Sequence, residues 1–198
     1  VPGPSQDLRR QIQELAFHQA GYFTAAQARE IGYTYQAQKH HADHGNWVRV
    51  ERGLFRLPGW PSHPEDAYAR WMLWSGGQAV VSHDSALATH GLSDINPARV
   101  HLTVPSGFRA THDAVITHTG SLRDSDVESR GSWRLTTVER TLTDIAGSDL
   151  SQELIDSAVA DALDRGMTTR RRLLRRAVDS DDRTALRLER ALATRTET

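Results

Sequence analysis

The stretch Thr34-Tyr35-Gln36-Ala37-Gln38-Lys39-His40-His41-Ala42, followed after Gly45 by Trp47-Val48-Arg49-Val50 and Leu54-Phe55-Arg56-Leu57, decides how the first third of the chain folds. Thr34 is a helix-capping residue type, and the segment behind it runs as a helix to about His44, closed by Gly45. The two apolar–basic runs alternate around Glu51-Arg52-Gly53, which predicts a hairpin with glycine at the tight position. Upstream, Leu8, Ile12, Leu15 and Ala16 fall at helical spacing, and Gly21 stops that helix. Thr24 caps a second short helix through Ile31, ended by Gly32. Three short helices and a hairpin, with a tight Gly32-Tyr33 turn between the second and third, is the order of a winged helix-turn-helix.

With Ala37, His41 and Ala42 turned inward, the third helix presents Tyr35, Gln36, Lys39 and His40 outward, led by Thr34. Glutamine pairs with adenine, lysine reaches guanine or phosphate, and tyrosine packs on sugar or base. Such a face suits a helix that enters the major groove with its N-terminal residues leading. Arg49, Arg52 and Arg56 put three cations on or near the hairpin, where a wing meets phosphate or minor groove. Taken alone, three arginines in eight residues equally describe a solubilising surface. Their position behind the third helix favours DNA.

Working outward, Leu57-Pro58-Gly59-Trp60-Pro61-Ser62-His63-Pro64 cannot continue a strand ladder or a helix, and it reads as a linker. The expectation is a winged-helix domain over 1–60 and a mixed α+β domain over 64–198 with a helical C-terminal tail. In the second domain, Val100–Val104 and Ala114–His118 alternate as strands, and Ser82–His90 reads as a capped helix. Thr136-Thr137-Val138-Glu139 matches a capping box opening a helix that ends near Gly147. From Ser151 onward the chain is helical. The opening Val1-Pro2-Gly3-Pro4 lacks a signal-peptide pattern and reads as an unstructured lead.

Composition narrows the function classes. The 198 residues carry 24 Lys+Arg against 25 Asp+Glu, no cysteine, and no run of about 18 apolar residues. Disulfides, thiol catalysis and cysteine-ligated metal centres are excluded. The net charge of −1 hides a segregation: residues 1–62 carry 7 basic and 5 acidic groups, residues 63–163 carry 7 and 14, and residues 164–198 carry 10 and 6. Nucleic acid responds to the local field, so the two ends stay eligible for DNA and the middle does not. A cytoplasmic protein is expected, without membrane contact.

Enzyme chemistry finds little footing in the sequence. His101-Leu102-Thr103 has the H-x-T form of two-histidine phosphoesterases, but His118-Thr119-Gly120 breaks the second copy. Gly120-Ser121 with Asp124 and Asp126 is spaced too tightly for a nucleotidyltransferase. The only lysine, Lys39, lies far from the acids a lysine-assisted nuclease needs. His40, His41 and His44 lack the further ligands of a zinc site. Arg140 and Asp144 read as a structural ion pair, and Arg170 to Arg176 as a basic stripe on a solvated helix. No catalytic, cofactor or metal residue is expected.

The chain resembles the AbiEi antitoxins of bacterial type IV toxin–antitoxin systems. The resemblance rests on Gly21-Tyr22-Phe23-Thr24-Ala25-Ala26-Gln27-Ala28, then Gly45 through Leu57, His63-Pro64-Glu65-Asp66, Val81-Ser82-His83-Asp84-Ser85-Ala86-Leu87 with His90-Gly91-Leu92, Val100 through Pro105, and Arg140-Thr141-Leu142-Thr143-Asp144-Ile145-Ala146. It implies a repressor that binds repeats in its own promoter as double-stranded DNA, two copies on adjacent repeats. It also implies that the second domain opposes a nucleotidyltransferase toxin without a stable complex. The resemblance places the recognition face on Tyr35, Gln36, Lys39 and His40, and the wing on Arg49, Arg52 and Arg56; with Thr34 at the helix start, these make up the expected DNA-binding set. Family recognition helices are often arginine-rich, whereas this one carries one lysine among glutamines and histidines. The alternatives are an orphan winged-helix regulator without a toxin, and a nuclease-like DNA-processing enzyme with a winged-helix targeting domain.

Overall fold

Helices and strands alternate in a mixed α+β chain, seen in a computed structural model that describes residues 4–61 and 63–193. Residues 1–3 of the expected lead, Ser62 of the linker and residues 194–198 of the tail lie outside the described residues. The chain forms two units, Val1–Gln78 with Arg130–Trp133, and Ala79–Ser129 with Arg134–Thr198.

In the first unit, α1 (Pro4–Phe17) leads through a tight turn to β1 (Tyr22–Thr24), then α2 (Ala25–Ile31), α3 (Tyr35–Asp43), β2 (Val48–Glu51) and β3 (Leu54–Arg56). The helix starts follow the capping logic of the sequence. Thr24 and Gln27 form a full capping box on α2, and the Thr34 hydroxyl accepts from Ala37 N on α3. The strand β1 has no counterpart in the sequence reading: three residues are too few to show a period. It pairs antiparallel with β3, Phe23 opposite Phe55, giving the sheet order β1-β3-β2. Ile12, Ala16, Phe23, Ala28, Tyr33, Trp47 and Phe55 fill the core, so the aromatic rings cluster between helices and sheet. Gly21 sits at φ +84°, and a Cβ there would stand 2.5 Å from the Trp60 ring, so the chain needs glycine at this corner.

The helix α4 (Asp66–Trp74) belongs with this unit, so the unit boundary follows Gln78 and not the proline-rich stretch. The physical reason is polar. Asp66 accepts from Arg56 at 3.1 Å, and Arg70 pairs with Glu51, which fastens α4 to the hairpin strands.

The second unit holds β4 (Val80–Val81), α5 (His83–Thr89), β5 (Val100–Val104), β6 (Val115–Thr119), β7 (Val127–Arg130) and β8 (Trp133–Thr136) except for Arg130 and Trp133 at their ends, and α6 (Val138–Gly147). It ends in α7 (Gln152–Asp164), α8 (Arg170–Val178) and α9 (Asp182–Ala193). The strand order is β6-β5-β4-β8-β7, with β5 and β6 parallel and β4 antiparallel to β5. Leu87, Leu142, Ile145, Ile155, Val159, Leu173 and Leu188 pack α5 to α9 into one core. Two cap expectations shift. Thr137, not Thr136, caps α6 by accepting from Arg140 N, while Glu139 accepts from the Thr168 hydroxyl and Arg172. Ser82 stands at the start of α5 but makes no capping bond.

Candidate functional site

Two regions, one in each unit, gather polar side chains beyond what folding needs. In the first unit, Thr34, Tyr35, Gln36, Lys39 and His40 are all exposed on α3, and Tyr35 is 75% exposed. Exposure of a large aromatic ring to that degree leaves it unused by the fold. Lys39 reaches along the helix to Asp43, an exposed pair worth little in water. The inward side carries a residue the sequence reading did not place. Gln38 is buried, and its amide donates to Ala25 O and Tyr33 O at 3.1 Å each, locking α3 to the start of α2 and to the turn before it. His41 is half-buried, stacks on Trp47 and meets Tyr33 edge-on; burial lowers its pKa. His40 and His44 have ring centroids 4.0 Å apart.

On the hairpin, Arg49 and Arg52 are exposed, Arg52 in the turn between β2 and β3. Arg56 is different. Its guanidinium is held by Asp66 and Pro61 O and lies over the Tyr22 ring at 4.9 Å. Of the three wing cations named from sequence, Arg56 is thus committed to holding the unit together.

The second region is an open cavity of about 1080 Å³ in the second unit. The parallel pairing of β5 with β6 sets Thr103 opposite His118 and His101 opposite Ile116. From there His118 Nε2 comes within 3.2 Å of His101 Nδ1, one N–H donating to the other's lone pair. The first residue of α5, His83, stacks flat on His118 at 3.5 Å. His83 has φ +49°, left-handed backbone that costs a non-glycine residue free energy. Its Nδ1 lies 2.9 Å from Ser82 Oγ, which accepts from the Thr103 hydroxyl. This explains why Ser82 does not cap its helix.

Carboxylates and guanidiniums continue the array. His101 Nε2 lies 3.9 Å from Asp84, and His83 Nδ1 4.0 Å from Asp144 Oδ2. Arg140 Nε donates to Asp144 Oδ1 at 2.8 Å, and Arg140 also faces Asp126, which Arg176 meets from α8 at 2.5 Å. The Arg140–Asp144 pair, read from sequence as a structural ion pair, is part of a buried network, with the Asp144 side chain only 5% exposed. Burial drives the ionisations. His83 is lowered to about 3 by burial and by the charges of His118 and His101. His118 is lowered to about 4 by burial and His101. Burial also raises Asp144 to about 6, against the pull of Arg140. At neutral pH the imidazoles are uncharged acceptors and donors beside a carboxylate of weakened acidity.

In the sequence, His118 and Asp126 stand only inside motifs that fail on pattern or spacing, and His101 stands there and in the stretch that resembles AbiEi. No linear signal joins them, because their common cavity depends on a parallel strand pair and on three helices converging from later in the chain. Among the described residues, no three histidine or acidic side chains are placed to hold one metal ion.

No family model matches the chain, and no curated protein is found as a relative. Among solved structures, the chain is similar to the crystal structure of the RV2827C protein from Mycobacterium tuberculosis. The likeness covers 98% of this chain and 77% of that one, with a TM-score of 0.66 and 15% sequence identity. At that identity the likeness is one of fold. No helix among the described residues is long and apolar enough to cross a membrane.

Proposed function

We propose that the first unit is a winged helix-turn-helix that binds duplex DNA, and that the protein is a transcriptional repressor acting as the antitoxin of a type IV toxin–antitoxin pair. The observation that carries the DNA reading is the outward face of α3, where Thr34, Tyr35, Gln36, Lys39 and His40 are all exposed while Gln38 anchors the opposite side. A rigid helix with an unspent polar face, next in sequence to a hairpin exposing Arg49 and Arg52, matches what major-groove reading with a phosphate-contacting wing requires. The antitoxin part rests on the resemblance to AbiEi proteins.

Fluorescence anisotropy against the chain's own upstream DNA and a scrambled duplex, at two salt concentrations, tests the reading. Tighter binding to the native sequence, weakening steeply with salt, is expected. Lys39→Ala and Arg52→Ala should each lower affinity roughly tenfold and flatten the salt dependence. Gln36→Ala should instead relax sequence preference, at a cost of about 1–3 kcal/mol. Equal affinity for both duplexes, unmoved by these substitutions, rejects the assignment. Co-expression with a nucleotidyltransferase encoded beside it tests the antitoxin part: growth should recover when both are made.

A further inference from the structure

We propose that the cavity of the second unit is a binding site for a small organic cation carrying several N–H donors, of the ammonium or guanidinium class. On the cavity floor the carboxylates of Asp84, Asp126 and Asp144 are at most 17% exposed, and they face two guanidiniums, Arg140 and Arg176. The histidines add no positive charge at neutral pH, since burial keeps His83 and His118 in the neutral form. Three carboxylates against two guanidiniums leave one buried negative charge without a counter-ion. A buried charge in that position is expensive, and either a proton or a bound cation relieves it.

Hydrogen bonding points the same way. Asp144 lines the cavity, and its buried Oδ2 accepts no hydrogen bond. Beside it stands the stacked pair of imidazoles, His83 and His118, which also line the cavity. The surplus of carboxylates over guanidiniums on the floor disfavours phosphate and carboxylate ligands. A bare metal ion is disfavoured on separate grounds: the histidine and acidic groups do not converge on a common point. Directional N–H donors on a small molecule satisfy scattered acceptors; a metal ion does not. Arg123 at the rim already faces Asp179 at 3.6 Å. The site lies wholly within the second unit and is independent of the DNA-binding reading.

The test is isothermal titration calorimetry of the full chain with agmatine, which carries a guanidinium and an ammonium, alongside citrate, AMP and zinc ion as comparison probes. Saturable one-to-one binding of agmatine is expected, with no saturable heat from citrate or AMP. Asp144→Asn should weaken agmatine binding at least tenfold while the circular dichroism spectrum stays native. Should that variant fail to fold, Asp84→Asn removes a second floor carboxylate and should weaken binding in the same direction. The proposal is overturned by absence of saturable binding, by agmatine affinity unchanged in a folded variant, or by zinc binding that excludes agmatine and is lost in His118→Gln.

Discussion

Gln38 shows how one residue can be misjudged by type and yet set the geometry of a surface. Helical spacing places Gln36 outward, but Gln38 reads as one more polar side chain that the pattern assigns to neither face. The fold decides it by giving the Gln38 amide two backbone carbonyls to serve, Ala25 O and Tyr33 O. Gln38→Ala would leave these acceptors without that donor and should cost about 1–3 kcal/mol, measured as a shift of the urea midpoint. Conversion to Ala at exposed Gln36 should leave the midpoint within about 0.5 kcal/mol of the parent. Arg56 teaches the complementary lesson. It alternates correctly with its strand neighbours, but its charge is answered by Asp66, ten residues on, across a turn that no periodicity describes. Arg56→Ala should therefore lower stability by about 1–3 kcal/mol, while leaving the salt dependence of the proposed DNA binding close to that of the parent.

Elements were legible where local chemistry alone builds them. The threonine caps of α2 and α3 and the glycine after α2 bounded those helices closely, because caps act over three or four residues. The short hairpin strands β2 and β3 were legible too, whereas β1 and β7 were not: these exist because partners exist, and their runs do not alternate apolar with polar. The helix α6 falls between these cases. Thr136 and Thr137 are both capping residues, and the choice goes to Thr137 because the Thr136 hydroxyl is paired with that of Thr141 in the core. Thr137→Ala should cost about 1 kcal/mol in thermal unfolding. On α8, the stripe of five arginines is divided by tertiary partners: Arg170 reaches Leu192 O, Arg172 reaches Glu139, and Arg176 reaches Asp126. Arg171 and Arg175 stay exposed beside Leu174 and Val178. A basic run in sequence thus says how many cations a helix carries, and the fold says how many are spoken for.

At the scale of the molecule, the segregated charge of the chain and its buried titratable groups tie stability to pH. Unfolded histidines protonate near 6.5, whereas His83 and His118 do so only near 3 and 4 in the folded chain. Between those values the unfolded state binds more protons, so stability falls as pH falls from 6.5 toward 4. Each histidine contributes about 1.4 kcal/mol per pH unit across that window. Asp144 acts oppositely: raised to about 6, it takes its proton first in the folded state and gains stability on acidification. Two histidines outweigh one aspartate, so the melting temperature should be lower at pH 4.5 than at pH 7.5. His83→Gln should shrink that difference. A melting temperature that rises on acidification would count against the buried array.

Lys39 is the only lysine among 198 residues, and it stands exposed on α3. An acylating reagent that selects ε-amines therefore finds a single address in the sequence, on the helix face assigned to base reading. Modification there adds one mass increment to one tryptic fragment, and the rate of its appearance reports solvent access to that one nitrogen. On the proposed reading, duplex bound across α3 would shield it, so occupancy could be followed on the unaltered protein by mass spectrometry, without a substitution or a dye. A chain whose cations are otherwise all arginine carries its own footprinting probe.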